Sequence, residues 1–267
     1  MRLNELTALY SPLDVEYNQA MSGPYQDLSY HGQDCMVVAG LKDGRITGFW
    51  RPVVAVGDAK ALKLHIERLY DISREIVYMD FLEGGGLSVI SRFLLRQGYG
   101  ARPYYTQIID LTKTEEELHA DLRKSYKSLI NSVEGGIWTS GSINKFKEMH
   151  IEQRGRQTRN NRTWEIQAEM IRKEQAYGTG TIPRTAGCLI YHNHTCAYYA
   201  VGASDKGKNA HAAMWKAILE AKEFGCQMFE MGEQVFSGDP KLVNISKFKR
   251  GFGGQTYTRL ILEKESK

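Results

Sequence analysis

Residues 196–232, CAYYAVGASDKGKNAHAAMWKAILEAKEFGCQMFEMG, carry the pattern from which the fold is read. CAYYAVGAS (196–204) is an apolar run of strand length. From Asn209 to Phe224, Ala212, Trp215, Ile218 and Leu219 or Ala221 recur at helical spacing, and Gly225 supplies a C-terminal stop. QMFEMG (227–232) then returns to strand length. CLIYH (188–192) precedes the stretch across Asn193-His194, so the whole reads as hairpin, helix, strand.

The first half of the chain has the same order. CMVVAGL (35–41) and RITGFWRPVVAV (45–56) flank Lys42-Asp43-Gly44, a strong hairpin signal. GDAKALKLHIERLYDI follows with helical spacing, then a strand EIVYMDF (75–81), a glycine triplet Gly84–Gly86, a helix stopped at Gly98 or Gly100, and a strand YYTQIIDL (104–111). Helix 58–73 matches helix 209–224, strand 75–81 matches 227–232, and strand 104–111 matches the terminal strand 255–263. The pairs are offset by roughly 150 residues, the mark of a duplicated unit. The fold class expected is α/β with a mixed, α+β-type sheet, in two tandem domains, 1–103 and 104–267. A helical insert, 112–180, is expected to hold helices over 114–133, 144–156 and 163–176. An irregular Gly/Pro stretch is expected before the last strand.

Composition sets the outer limits. With 267 residues, 42% hydrophobic and 25% charged, the chain is ordinary globular material, and its net charge of +4 is too small to define a nucleic-acid coat. A chain this long buries about three-quarters of its unfolded surface and needs no disulfide or metal staple. The opening MRLNELTALYSPLDVEY lacks the apolar run of a secretory signal, and no window approaches a membrane span. Cys35, Cys188, Cys196 and Cys226 show no zinc spacing and read as core residues in a reducing compartment, so a cytoplasmic location and no metal are expected. GxxxxGK[ST], GxSxG and HExxH are all absent.

The charge matters by position. Arg154, Arg156, Arg159 and Arg162 fall in nine residues without an acid, beside Trp164. Lys241, Lys247, Lys249 and Arg250 form a second acid-free block. Guanidinium groups grip phosphate bidentately and ammonium groups act as point charges, so either block suits a phosphate; a solvated basic face is the plainer alternative. ISKFKRGFGG (245–254) interleaves aromatics, cations and glycines, with Lys249 suited to steadying an oxyanion or phosphate and an ordinary turn as the alternative. Glu230 ends a core strand, where a carboxylate can serve as general base for an amine or pair with a cation. His192 and His194 read as a turn pair without a third metal ligand, and His211 as structural or exposed. Gly84–Gly86 fits an anion cradle or a tight strand–helix turn equally well.

These residues bear a family resemblance. Ala221-Lys222 with Gly225, Phe229-Glu230 with Gly232, and Phe248-Lys249 with Phe252-Gly253 resemble the second domain of the Fem-type peptidyltransferases, members of the GNAT acyltransferase superfamily. TQIIDLTKTEEELHADLRKSYKSLINSVEGG (106–136) is similar to the segment that opens that domain, and the likeness covers roughly 100–264. It implies two GNAT-like domains and acyl or aminoacyl transfer to an amine, from acyl-CoA or aminoacyl-tRNA. Lys249 would steady the tetrahedral oxyanion and Phe248 would shape the donor pocket. Ser204–Asn209 departs from the [QR]-x-x-G-x-[GA] loop of acyl-CoA enzymes, as Fem-type members do. The expected acceptor is a phosphate-bearing amine of a cell-envelope glycan precursor, an amino sugar or muropeptide. Lys249 and Glu230 are the catalytic candidates; Arg154, Arg156, Arg159, Trp164, Tyr199, Phe248 and Arg250 are the binding candidates. A non-catalytic relative binding tRNA or other RNA, and a degenerate GNAT-fold scaffold, are the alternatives.

Overall fold

A computed structural model describes residues 15–82, 85–131, 133–182, 184–205 and 209–264. By compactness the described chain forms two units, one of residues 15–105 and 257–264, the other of residues 106–256. Among the described residues no helix is long and apolar enough to cross a membrane.

Unit one opens with α1 (Val15–Ser22), β1 (Gln26–Asp27), β2 (Tyr30–His31), β3 (Cys35–Val38), β4 (Gly40–Lys42), β5 (Arg45–Thr47) and β6 (Val54–Gly57). It continues through α2 (Ala59–Ile72), β7 (Glu75–Ile76), β8 (Tyr78–Asp80) and α3 (Val89–Arg96) into β9 (Gly100–Asp110). The predicted hairpin turns on Asp43 and Gly44, both at positive φ (51° and 75°), as a two-residue turn matched to strand twist requires. Asp58 caps α2 by accepting from the amides of Lys60 and Ala61, and the helix buries Leu62, Ile66, Leu69 and Tyr70. The sheets run β1-β4-β5-β7 and β2-β3-β6.

Unit two contains α4 (Glu115–Asp121), α5 (Tyr126–Leu129), β10 (Glu134–Trp138), α6 (Ile143–Arg154), α7 (Asn161–Arg172), β11 (Ala176–Ile182), β12 (Ala186–His192) and β13 (Cys196–Ser204). It is completed by α8 (Ala210–Glu223), β14 (Met228–Glu233) and α9 (Pro240–Arg250), and the last strand is β15 (Gln255–Glu263). Its strands are ordered β10-β11-β12-β13-β14-β9. Among these described strands only β13 and β14 pair in parallel, because α8 carries the chain back across the sheet between them. Ala213, Met214, Ala217, Ile218 and Ala221 of α8 are fully buried against Cys188, Ile190 and Phe229.

The repeated element order is present, with α2 and α8 both 14 residues long. The closing strands, however, trade places. β9 follows the first copy, yet its Thr106–Asp110 pair with β14 in unit two; β15 follows the second copy, yet Leu260–Leu262 pair with β8 in unit one. Each strand supplies apolar residues to the core it joins, Ile109 in unit two and Leu262 in unit one. By compactness β15 groups from Tyr257 onward with residues 15–105.

Three local expectations fail. Helix 114–133 breaks into α4 and α5: Leu122 is extended (ψ 141°) and the Arg123 amide leaves the helical ladder to donate to the Gly251 carbonyl at 2.9 Å. Residues 176–182, expected to close a helix and its insert, form β11, whose residues Ala176–Thr181 are all buried. The stretch expected to be irregular before the last strand contains α9, capped by Asp239 with Pro240 at its first position.

Candidate functional site

The parallel pairing of β13 with β14 is short. It joins Cys196 to Met228, Ala197 to Phe229 and Tyr198 to Glu230, and stops there. Immediately beyond, each strand slips against its other neighbour: β13 skips Ala200 in its register with β12, and β14 skips Met231 in its register with β9. Paired slips of this kind bend strands and end pairing. From Tyr199 onward β13 pairs with β12 and β14 with β9, so the seam between them opens.

Glu230 sits at the fork. It is 2% exposed, and the Thr106 hydroxyl donates to its Oε1 at 2.9 Å. Gly232, two residues on, has φ 78°, a conformation costly for any side chain. A Cβ there would stand 3.2 Å from Tyr198 Oη and 3.6 Å from Lys249 Nζ, so the phenol and the ammonium border the same small space.

Lys249 is held in place by the turn after β14. Its Nζ donates to the Glu233 carbonyl at 3.2 Å. Buried Gln234 donates to the carbonyls of Gly232 and Glu233, and its Oε1 accepts from Arg250 Nη1 at 3.1 Å. Arg250 also lies over the Phe236 ring, 4.8 Å from its centroid. The Val235 amide donates to Ser246 Oγ at 2.8 Å, which fastens the turn to α9. Arg250 therefore acts first on the frame that carries Lys249.

Phe248, beside Lys249, belongs to an aromatic cluster. Its ring is 5.2 Å from Phe252 and 5.1 Å from His211, while Tyr126 Oη donates to its carbonyl at 3.2 Å. His211 lies 4.3 Å from Tyr126, and burial, helped by the Arg123 charge, lowers its pKa. Tyr199 lies on β13 past the fork, half-buried against the core, and a Cβ on Gly202 would run into its hydroxyl. Burial pushes the Tyr199 phenol up, and the Arg154 charge opposes the shift.

The arginine block lies at the junction of α6 and α7. Gln153 Nε2 donates to Ser204 Oγ at 3.3 Å, which brings the end of α6 to the end of β13. Arg154 and Arg156 are exposed. Arg159 is half-buried, with Nη1 3.4 Å from His150 Nε2 and its guanidinium carbon 5.7 Å from the Trp164 centroid. Arg162 pairs with Glu165 on its own helix. His192 stacks on Phe224 at 4.9 Å. Glu83 and Gly84 of the glycine turn, and Lys206–Lys208 of the 204–209 loop, lie outside the described residues.

The structure thus places Glu230 within β14, sets the Lys249 ammonium against the Gly232–Glu233 end of that strand, and puts Tyr199 on the facing strand. Sequence reasoning missed Tyr198 and Thr106, which reach Glu230 and Gly232 only through register. It also missed His150, which nothing in its local sequence marks.

No family model matches the sequence, and no curated protein matches it. Solved structures do. FemX aligns over 97% of this chain and 95% of its own, with TM-score 0.72 and 12% identity. L-PGS from Bacillus licheniformis aligns over 95% and 91%, with TM-score 0.61 and 11% identity. A conserved protein of unknown function from Bacteroides thetaiotaomicron aligns over 94% and 91%, with TM-score 0.63 and 12% identity. The chain has a mixed α/β fold like those of FemX and L-PGS.

Proposed function

We propose that this protein is an acyl- or aminoacyltransferase, moving an activated carboxyl group from a thioester or ester onto an amine. The observation that supports this is the parted β13/β14 seam with Lys249 and Glu230 at its fork. Strands that part leave amide groups able to bind an extended donor. The acceptor nitrogen attacks the donor carbonyl carbon, a C–N bond forms, and the oxyanion faces Lys249 Nζ. Glu230, or a water on it, takes the amine proton. The C–S or C–O bond then breaks, and the leaving thiol or hydroxyl takes a proton from solvent.

The donor is acyl-CoA or an aminoacyl-tRNA, and the acceptor a phosphate-bearing amine of an envelope glycan precursor, an amino sugar or muropeptide, handled in the cytoplasm. Phe248 and Tyr199 line the donor, with Arg250 holding the Lys249 turn. Arg154, Arg156, Arg159 and Trp164 hold the acceptor's phosphates. Domains 1–103 and 104–267, with the insert 112–180, describe the ancestral repeat.

The purified chain, incubated with labelled acetyl-CoA or a charged tRNA pool and amine-bearing nucleotide sugars, should yield an amide product by mass spectrometry. Lys249→Ala should lose that product while keeping its circular dichroism spectrum. Full transfer by the variant would overturn the mechanism. RNA binding with steep salt dependence, and no product from any donor, would favour the RNA-binding alternative.

A further inference from the structure

The α6/α7 pair in unit two holds a cluster that takes no part in the proposed bond-making and bond-breaking steps. His150 and Trp164 are each 2% exposed and meet edge to face at 5.5 Å. Arg159 closes the group from the solvent side, against both rings.

Among the described residues, three buried nitrogens in this cluster have no hydrogen-bond partner: His150 Nδ1, Arg159 Nε and Trp164 Nε1. Indole and guanidinium nitrogens can only donate. Arg159 Nη1 faces His150 Nε2, so a neutral ring must accept there and carry its proton on Nδ1. That makes three N–H donors and no acceptor. Burial, with the charges of Arg159 and Arg154, lowers the His150 pKa to about 4 and keeps the ring neutral.

The charge balance is equally one-sided. Among the described residues, the side-chain partners of Arg159 are an imidazole nitrogen and a ring face, not a carboxylate. Arg162, by contrast, has Glu165 and Glu169. A half-buried guanidinium without a counter-ion, beside orphaned donors, is costly unless an anion completes it.

We propose that Arg159, His150 and Trp164 form a binding site for a phosphate group, with Arg154 adding charge at its mouth. The phosphate docks on the open edge of the Arg159 guanidinium. Displacement of Arg159 from its long 3.4 Å contact with His150 lets phosphate oxygens reach the indole and imidazole N–H groups. Identification of this phosphate with the acceptor's rests on the proposed function; the site itself does not. Phosphate borne by a nucleotide sugar and free phosphate share this chemistry.

The test is an NMR titration of the full, 15N-labelled chain at constant ionic strength. The probes are inorganic phosphate, pyrophosphate, a uridine diphosphate sugar, acetate and chloride. The Trp164 indole and His150 ring signals should shift saturably with the phosphate-bearing probes, and the indoles of Trp50, Trp138 and Trp215 should stay in place. Arg159→Gln should weaken binding about tenfold or more, and Arg159→Lys should restore part of it. Tighter binding of the nucleotide sugar than of phosphate identifies the ligand-borne source, and equal binding identifies free phosphate. Shifts with acetate or chloride alone, no saturable shift, or unchanged affinity in Arg159→Gln would overturn the site. Lys249→Ala should bind phosphate as the unaltered chain does, so a failure of the transfer reaction leaves this result standing.

Discussion

The two units each contain a parallel seam leading to a buried carboxylate, and they treat it oppositely. In unit one the seam is filled. The Val77 amide donates to Ile46, the Val53 amide donates to the Val77 carbonyl, and the Met79 amide donates back to Val53. The chain between them, Gly48–Pro52, loops out so that a second segment continues where the first ends. Asp80 at the end of this seam accepts from the amides of Leu82 and Ser88 and from the Ser91 hydroxyl, all from its own following loop and helix. In unit two the parallel pairing stops at Tyr198 and Glu230, and among the described residues no strand continues it. One architecture therefore gives a carboxylate that anchors a turn and another, held by Thr106, where the parallel ladder stops. The difference lies in whether backbone continues the ladder, not in the carboxylate itself.

The sharpest way to break the comparison is at Lys249. If chemistry belongs to unit two, Lys249→Ala should lower the transfer rate by about 10³-fold, as loss of an oxyanion donor does, without change in thermal midpoint. Steady-state assays beside calorimetry check this.

Acid should distinguish the units next. His150, His192 and His211 all lie in unit two, and burial lowers the pKa of each, His150 to about 4. Between the unfolded value near 6.5 and the lower folded values, the unfolded chain takes up protons that the folded chain refuses. Their contribution is thus complete above about pH 6.5 and is lost as pH falls toward 4, by roughly 3 kcal/mol for His150. Hydrogen exchange at pH 5 should show amides of β11–β13 losing protection before those of β3 and β6. His150→Phe should flatten that slope.

The two carboxylates offer a paired test. Glu230→Gln keeps the Thr106 bond but cannot take a proton, and should cost about 10²-fold in rate with little loss of stability. Asp80→Asn should do the reverse, costing about 2 kcal/mol through mispaired buried donors while the rate constant stays unchanged. Equal effects on rate would erase the distinction between the units. The smallest effect is expected at Gly202→Ala, which displaces the Tyr199 hydroxyl; a severalfold rise in KM with the fold intact should appear in the same assays.

Much of the fold was legible in the chain because its signals are local. Asp43-Gly44 turns as its composition demands, α8 follows its apolar face, and α4 starts within the expected 114–133 span, behind a Thr114–Glu117 capping box. The break at Leu122 was not legible, since Leu118, Leu122 and Tyr126 keep helical spacing on both sides of it. Only the Gly251 carbonyl, more than a hundred residues away, draws the Arg123 amide out of the helix. β11 was hidden for a related reason. Its alternating glycine and threonine give no apolar run, and Gly178 makes room for the Trp138 ring that covers it.

For the site, the sequence by itself determined the chemical kinds present: a lysine after an aromatic, a carboxylate at a strand end, and arginines without acids. Side-chain type and short spacing are properties of the chain. Tertiary structure alone decided which of them meet. Register slips at Ala200 and Met231 end the parallel pairing, Thr106 reaches Glu230 from β9, and Arg159 meets His150 and Trp164 with no carboxylate beside it among the described residues. Those outcomes depend on hydrogen bonds and burial between residues far apart in sequence, and no local pattern encodes them.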